Sequence, residues 1–313
     1  MKKCQSRSLY YSPEFHHVYT RSGKMGAIAK TASGQYTAPC HSRATRFRTT
    51  PDLLTLSIHL SPSQLSGCLP PLDCQKAICI AAGLGKDIAA CHAALLPMTS
   101  PAEHARAALF LQAADAARHL LGRALLRAIL HRELAGRTLP DTIPTNAWGK
   151  PELPGSGLEF SIAHAGQAVW LAVTRAAPIG VDIETGTACS APFLLADALH
   201  PEERAEIHRH GTAEAAQRFL RCWTRKEAVV KADGRGLSCP LDGFRVRTDD
   251  SPGDWLLIPP PDSTMAWTCH DLPAPPGYHA SLAATCASLP VAHLLHLPWG
   301  ETSPRLERVF GVG

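Results

Sequence analysis

The chain has 313 residues, 45% of them apolar and 19% charged, with a formal charge of +4. That length accommodates two domains of ordinary size or one domain built from two halves, and no stretch approaches the roughly 20 uninterrupted apolar residues of a membrane-spanning helix. Its 11 cysteines and 16 histidines are scattered, without a Cys-x-x-Cys pair or ligand pairs at metal spacing, which argues for reduced thiols in a cytoplasmic setting and against a disulfide framework or structural zinc.

Residues 1–50 carry nine Lys or Arg and one acid, Glu14, with no sustained period. They lack the apolar core of a secretory signal. An Arg-rich, acid-poor start is compatible with a transit peptide, with a disordered arm, or with a start site placed too early, Met25 being an internal candidate. Regular texture begins at Leu54–Leu60, which alternates as a strand does. Ser100-Pro101-Ala102-Glu103 reads as a helix N-terminus, and a long Ala/Leu-rich helix is predicted from about Ala105 to Leu134. Pro and Gly then punctuate 139–157, a loop containing Trp148-Gly149-Lys150-Pro151. Strands are predicted at 158–163 and 169–174, with a joint at Ala176-Ala177-Pro178. The second half repeats the order. A short helix is predicted near 201–210 and a long one over Thr212–Asp233, with Gly234 suited to the C′ position. Strands follow at 244–248, 255–258, 265–271 and 278–284. This pattern predicts an α+β fold of two similar lobes, each a long helix on a small antiparallel sheet, with the site in the cleft between them. The corresponding segments are 1–50, 51–177, 178–300 and a tail at 301–313.

Two acidic stretches carry the chemistry. In Ile179-Gly180-Val181-Asp182-Ile183-Glu184, a β-branched run, the two carboxylates project from one face of a strand. In the helix from Trp223 to Lys231, successive i, i+4 steps put Trp223, Glu227 and Lys231 on one face. Brought together in an apolar frame, Asp182, Glu184 and Glu227 repel one another. A hard divalent cation such as Mg²⁺ relieves that, prefers oxygen ligands and keeps positions for phosphate oxygens. Lys226 and Lys231 flank Glu227 and supply positive charge for phosphates, although Lys226 is turned about 100° away on the helix. Trp223 reads as packing at the helix surface in preference to substrate contact.

The combination Gly-Val-Asp-Ile-Glu, then Trp-Thr-Arg-Lys-Glu-Ala-x-x-Lys-Ala-x-Gly-x-Gly-Leu some forty residues on, resembles the 4′-phosphopantetheinyl transferases of the surfactin-synthetase-activating type. Trp148-Gly149-Lys150-Pro151 is similar to the family's Gly-Lys-Pro loop. Phe160-Ser161-Ile162-Ala163-His164-Ala165-Gly166 is similar to its Phe-Asn-x-Ser-His-Ser-Gly strand end, and Asp115, Arg118 and Gly122 match an Asp-Ala-x-Arg-x-x-x-Gly helix. The resemblance spans about residues 100–285, with five motifs in order. It implies transfer of phosphopantetheine from coenzyme A to a serine of an acyl or peptidyl carrier protein. By the same resemblance, Asp182, Glu184 and Glu227 would hold Mg²⁺, and either Glu227 or a water on the metal would take the serine proton. Lys231 would lie on the pyrophosphate side, and Lys150, His164, Arg118 and Arg106 would serve the remote 3′-phosphate. The chain departs from the pattern at Ala163 and Ala165, where relatives carry hydroxyls, and at Ala107, Ala108 and Ala113, where many are basic.

Two other classes are set against this reading. A non-catalytic carrier-protein-binding module would not need Asp182, Glu227 and Lys231, and all three are present. A nucleic-acid-binding protein would need basic residues and aromatics interleaved in a folded unit, which the N-terminal arm does not offer. A two-lobed chain is expected to act as a monomer. The small residues of Thr185–Pro192 are a candidate lining for the carrier-protein surface.

Overall fold

The structure, a computed structural model, describes residues 54–55, 72, 74–135, 137–186, 189, 191–289, 291–297 and 305–309. The predicted basic arm at 1–50 and most of the predicted strand at 54–60 lie outside the described residues, as does part of Thr185–Pro192. In chain order the elements are β1 (Leu54–Thr55), β2 (Ala77–Gly83), α1 (Ile88–Leu95), α2 (Pro101–Ala107), α3 (Ala113–Glu133), β3 (Glu159–Ala165), β4 (Ala168–Thr174) and β5 (Ile179–Thr185). They continue with α4 (Pro192–Ala196), α5 (Pro201–His208), α6 (Thr212–Asp233), β6 (Arg245–Val246), β7 (Leu256–Ile258), β8 (Thr268–Leu272), β9 (Tyr278–Ala284), β10 (Val291–Leu297) and β11 (Arg305–Val309).

The fold is α+β, with helices packed on largely antiparallel sheets. One sheet runs β1-β11-β10-β2-β4-β3, the second β5-β9-β8, and β6 and β7 form a separate pair. Strands β10 and β2 pair in parallel, the others antiparallel. Strand β10 lies within segment 178–300 but extends the first sheet, so that sheet draws on both ends of the chain.

Strand β2 has no counterpart among the predicted elements. Its Ile78, Ile80 and Ala82 join the core under α3, whereas Ala77, Cys79 and Ala81 join a second core shared with the other sheet. Burial on both faces removes polar–apolar alternation, and unlike β4, which is also buried on both faces, β2 has few β-branched or aromatic residues to mark it. The predicted long helix is in fact two, α2 and α3, separated at 108–112. Ser100 begins α2 with a complete capping box, its hydroxyl accepting from Glu103 N while Glu103 accepts from Ser100 N.

The molecule is layered helix, sheet, sheet, helix. Helix α3 covers the outer face of the first sheet, with Leu121, Leu125 and Ile129 against Leu171 and Val173. Trp170, Ala172 and Ala163 meet Val181, Ile183 and Leu282 in the core between the sheets. Helix α6 covers the outer face of the second sheet through Phe219, Leu220 and Ala228. The sheet edges β3 and β5 run side by side, where Val181 N donates to Ser161 Oγ at 3.1 Å.

Two glycines set how closely the helices lie on their sheets. A Cβ at Gly180 would sit 2.1 Å from Ala228 O and 2.4 Å from Ala232 N, both backbone atoms of α6. A Cβ at Gly122 on α3 would meet Ile162 Cγ2 at 2.9 Å, a side-chain methyl that can give way. Gly180→Ala is therefore expected to cost about 3 kcal/mol or more by forcing backbone apart, and Gly122→Ala about 1 kcal/mol. Urea denaturation of the two variants checks this; equal losses would mean that α6 and β5 yield as easily as a side chain.

Candidate active site

Gly180, Asp182 and Glu184 lie on the face of β5 turned to α6, while Ile179, Val181 and Ile183 are packed between the sheets. That alternation, with the contact at Gly180, brings the strand carboxylates against the helix face carrying Trp223, Glu227 and Lys231. Lys231 Nζ donates to Asp182 Oδ1 at 2.6 Å, with side-chain exposures of 13% and 6%. Asp182 Oδ2 is buried without a hydrogen-bond partner. Trp223, half-buried and stacked on Phe219, hydrogen-bonds Glu184.

The cluster is electrostatically frustrated. Burial pushes the Glu227 carboxyl up to about 7, with repulsion from Asp182 adding and Lys231 opposing. Glu184 is held well above its ordinary value by burial, then by Asp182 and Glu227. Asp182 is raised by burial against the pull of its ion pair. Burial alone would lower the Lys231 ammonium, but Asp182 and Glu227 outweigh it and hold it above its usual value. All the donors are oxygens, and one carboxylate oxygen is orphaned, so the residues suit a hard cation. Among the described residues, however, no three acidic, histidine or cysteine side chains are grouped as a ready-made metal cage.

A basic flank faces this cluster from the first sheet. His164, at the end of β3, has its imidazole pushed down to about 4 by burial, then by Arg118 and Lys231. Arg118 on α3 is bound by Asp115 and by the Gly166 carbonyl. At the next position of α3, His119 is pushed down to about 3 by burial, then by Arg123, Arg106 and His164. The ring of Phe110 bridges this group, 5.7 Å from His119 and 5.8 Å from the Arg106 guanidinium. Arg118, His164 and Arg106 are thus gathered on one side. His119 and Arg123 are not singled out by the sequence motifs; their i, i+4 spacing one residue past Arg118 is the available signal.

Two predicted phosphate ligands lie elsewhere. Lys226 is fully buried on the far side of α6, paired with Glu203 at 2.9 Å and donating to the carbonyls of Leu241 and Phe244 at 2.7 and 2.6 Å. Its ammonium also rests 4.0 Å from the Phe244 ring centroid. Lys150 Nζ donates to Ile179 O at 3.1 Å, and burial lowers its ammonium below the usual range. In the same loop, Asn146 Nδ2 donates to Gly234 O at 3.0 Å. Lys150 and Asn146 therefore clamp the start of β5 to the end of α6, where Gly234 terminates the helix with φ +81.

Two outcomes follow from these geometries. Lys226→Met strands the buried Glu203 carboxylate and is expected to cost about 3–5 kcal/mol; adding Glu203→Gln should recover part of that loss in denaturation curves. A carboxyl raised to about 7 when folded, against an ordinary value of 4.5, stabilises the fold fully below 4.5 and loses that contribution as pH rises through about 7. The metal-free protein should therefore melt at a lower temperature at about pH 8 than at about pH 6, and Glu227→Gln should flatten that dependence.

Comparison with known proteins places this geometry. Residues 178–286 match the sequence profile of the 4′-phosphopantetheinyl transferase superfamily. The chain is 30% identical over 210 residues to the 4′-phosphopantetheinyl transferase psf-1 of Bacillus pumilus, covering 63% of this chain and 82% of that protein. It is 29% identical over 195 residues to the 4′-phosphopantetheinyl transferase Sfp of Bacillus subtilis, covering 61% and 84% respectively. With the 4′-phosphopantetheinyl transferase HetI of a Nostoc species it shares 33% identity over 141 residues, 44% of this chain and 60% of that protein. The profile match contains Asp182, Glu184, Glu227 and Lys231, and the chain belongs to the 4′-phosphopantetheinyl transferase superfamily as a transferase of that type.

Proposed function

We propose that this transferase takes 4′-phosphopantetheine from coenzyme A and attaches it to a serine of an apo acyl or peptidyl carrier protein, with Mg²⁺ held by Asp182, Glu184 and Glu227. The observation that carries the reading is the Lys231–Asp182 ion pair at 2.6 Å beside two further carboxylates. The orphaned Asp182 Oδ2 and the raised Glu184 and Glu227 carboxyls support a cation there. When bound, Mg²⁺ would offset the negative charge that builds on the pyrophosphate as its bond breaks.

The chain's own residues divide the remaining work. The serine oxygen bonds to the β-phosphorus of coenzyme A. The bond from that phosphorus to the bridging oxygen breaks, and its electron pair leaves on adenosine 3′,5′-bisphosphate. Glu227, set beside the Lys231–Asp182 ion pair, would accept the serine proton. An ammonium has three donors and the Asp182 bond uses one, so Lys231 keeps capacity for phosphate oxygens. Arg118, Arg106 and His164 serve the 3′-phosphate, the guanidinium groups being able to grip it with paired hydrogen bonds. His164 stays neutral at physiological pH and takes part as a hydrogen-bonding group. Lys226, paired with Glu203 and donating to two backbone carbonyls, has a structural role, and Lys150, bonded to the Ile179 carbonyl, helps to hold the start of β5. Among the described residues no helix is long and apolar enough to cross a membrane.

The test is mass spectrometry of apo carrier protein incubated with the full chain, coenzyme A and Mg²⁺. The carrier should gain the mass of one phosphopantetheinyl group, and EDTA should abolish the gain. Glu227→Gln should slow transfer by about 100-fold or more. No gain on fatty-acid, polyketide or peptide carriers, with the protein folded, would favour a non-catalytic carrier-binding module.

A further inference from the structure

The turn that follows His164 is held from several directions. Arg118 donates to the carbonyl of Gly166. Leu84 N donates to Gln167 O at 2.7 Å. Gln167 N donates to the hydroxyl of Tyr278 at 3.3 Å. The first two holds come from the helix and strand of the first sheet's own half. The third comes from β9 of the second sheet, the strand that pairs with β5 in the register Thr185↔Tyr278 and Glu184↔His279.

The fit at that point leaves no spare room. Gly166 has φ +53, and a Cβ there would sit 2.6 Å from Tyr278 Oη and 3.0 Å from Thr185 Cγ2. The Tyr278 ring packs against the core shared by the two sheets, and its hydroxyl reaches the turn.

We infer that Tyr278 is a positioning residue, whose hydroxyl anchors the His164–Gly166 strand end of the first sheet to the second sheet and so sets His164 and Arg118 against the carboxylate cluster. It touches no reacting atom. Its kinetic consequence rests on the proposal that coenzyme A is the donor, because His164 and Arg118 are assigned to that molecule.

Tyr278→Phe keeps the ring and deletes the hydroxyl. In the full-length protein it should weaken coenzyme A binding, measured calorimetrically, by about 2- to 10-fold, the range of one net hydrogen bond. The affinity for Mg²⁺ alone should stay within about twofold of the parent, since the turn carries none of the three carboxylates, and amide exchange at Gln167 should quicken. Gly166→Ala, strained at φ +53 and against Tyr278 Oη and Thr185 Cγ2, should weaken coenzyme A binding further. Unchanged coenzyme A affinity and Gln167 exchange in Tyr278→Phe would overturn the inference. So would an equal loss of Mg²⁺ affinity, which marks general loosening. If the parent protein bound no coenzyme A, the donor assignment would fall, and exchange at Gln167 would still decide the anchor: faster exchange sustains it and unchanged exchange removes it.

Discussion

Helix α6 crosses strand β5 at Gly180 with no room for a methyl group, and the arrangement of the site depends on that approach. Any side chain at this position would meet the backbone at Ala228 and Ala232, which a rotamer change cannot relieve. Because the contact lies two residues before Asp182 and within a turn of Lys231, it fixes the spacing between strand and helix charges directly. The same end of the junction is also held by side chains of the 139–157 loop: Lys150 grips the first carbonyl of β5 and Asn146 the helix-ending Gly234. The strand and helix are thus pinned by contact at one point and clamped at their adjoining ends.

With that geometry fixed, the charges cannot relax away from one another. Three carboxylates and one ammonium share the seam, and the ion pair neutralises one carboxylate while leaving Glu184 and Glu227 to repel. A stability-optimised sequence would place apolar residues there, since a buried pair of charges is commonly no better than a hydrophobic substitute. Lys226–Glu203 provides the internal contrast. It is also buried, but its ammonium reaches two carbonyls and a carboxylate, and Glu203 accepts from Val246 N and His200 N. One buried pair is satisfied and structural; the other sits beside two carboxyls whose ionisation burial and mutual repulsion oppose.

The site's acidic half is legible in the sequence and much of the rest is obscure, for physical reasons. Asp182 and Glu184 are two apart on a strand, and Trp223, Glu227 and Lys231 four apart on a helix, so periodicity alone assigns their faces. Gly234 as a helix stop and the strand Tyr278–Ala284 are legible from local chemistry in the same way. Strand β2 is not: like β4 it is buried on both faces, but it is built of Ala, Cys and Gly around two isoleucines, where β4 carries Val, Trp, Leu and Thr. Helical spacing turns Lys226 away from Glu227, as found, but neither its partners nor those of Lys150 can be read from sequence, since a lysine's head group settles several ångströms from its Cβ and tertiary carbonyls decide both. The break at 108–112 is hidden by Ala and Leu, which favour helix on each side.

The basic flank is built largely on α3 and the segment before it. Ala107, Ala108 and Ala113 thin out the run before α3, yet Arg106 is joined by His119 and Arg123 on the helix itself, with Phe110 between Arg106 and His119. The depressed His119 and His164 imidazoles follow from burial and from that crowding of cations, and keeping both rings neutral limits the repulsion among the arginines. The result is a seam that is basic where α3 meets β3 and acidic where β5 meets α6. A substrate with a terminal phosphate at one end and a pyrophosphate needing a cation at the other matches that polarity along its length, whereas a singly charged ligand would satisfy only one side.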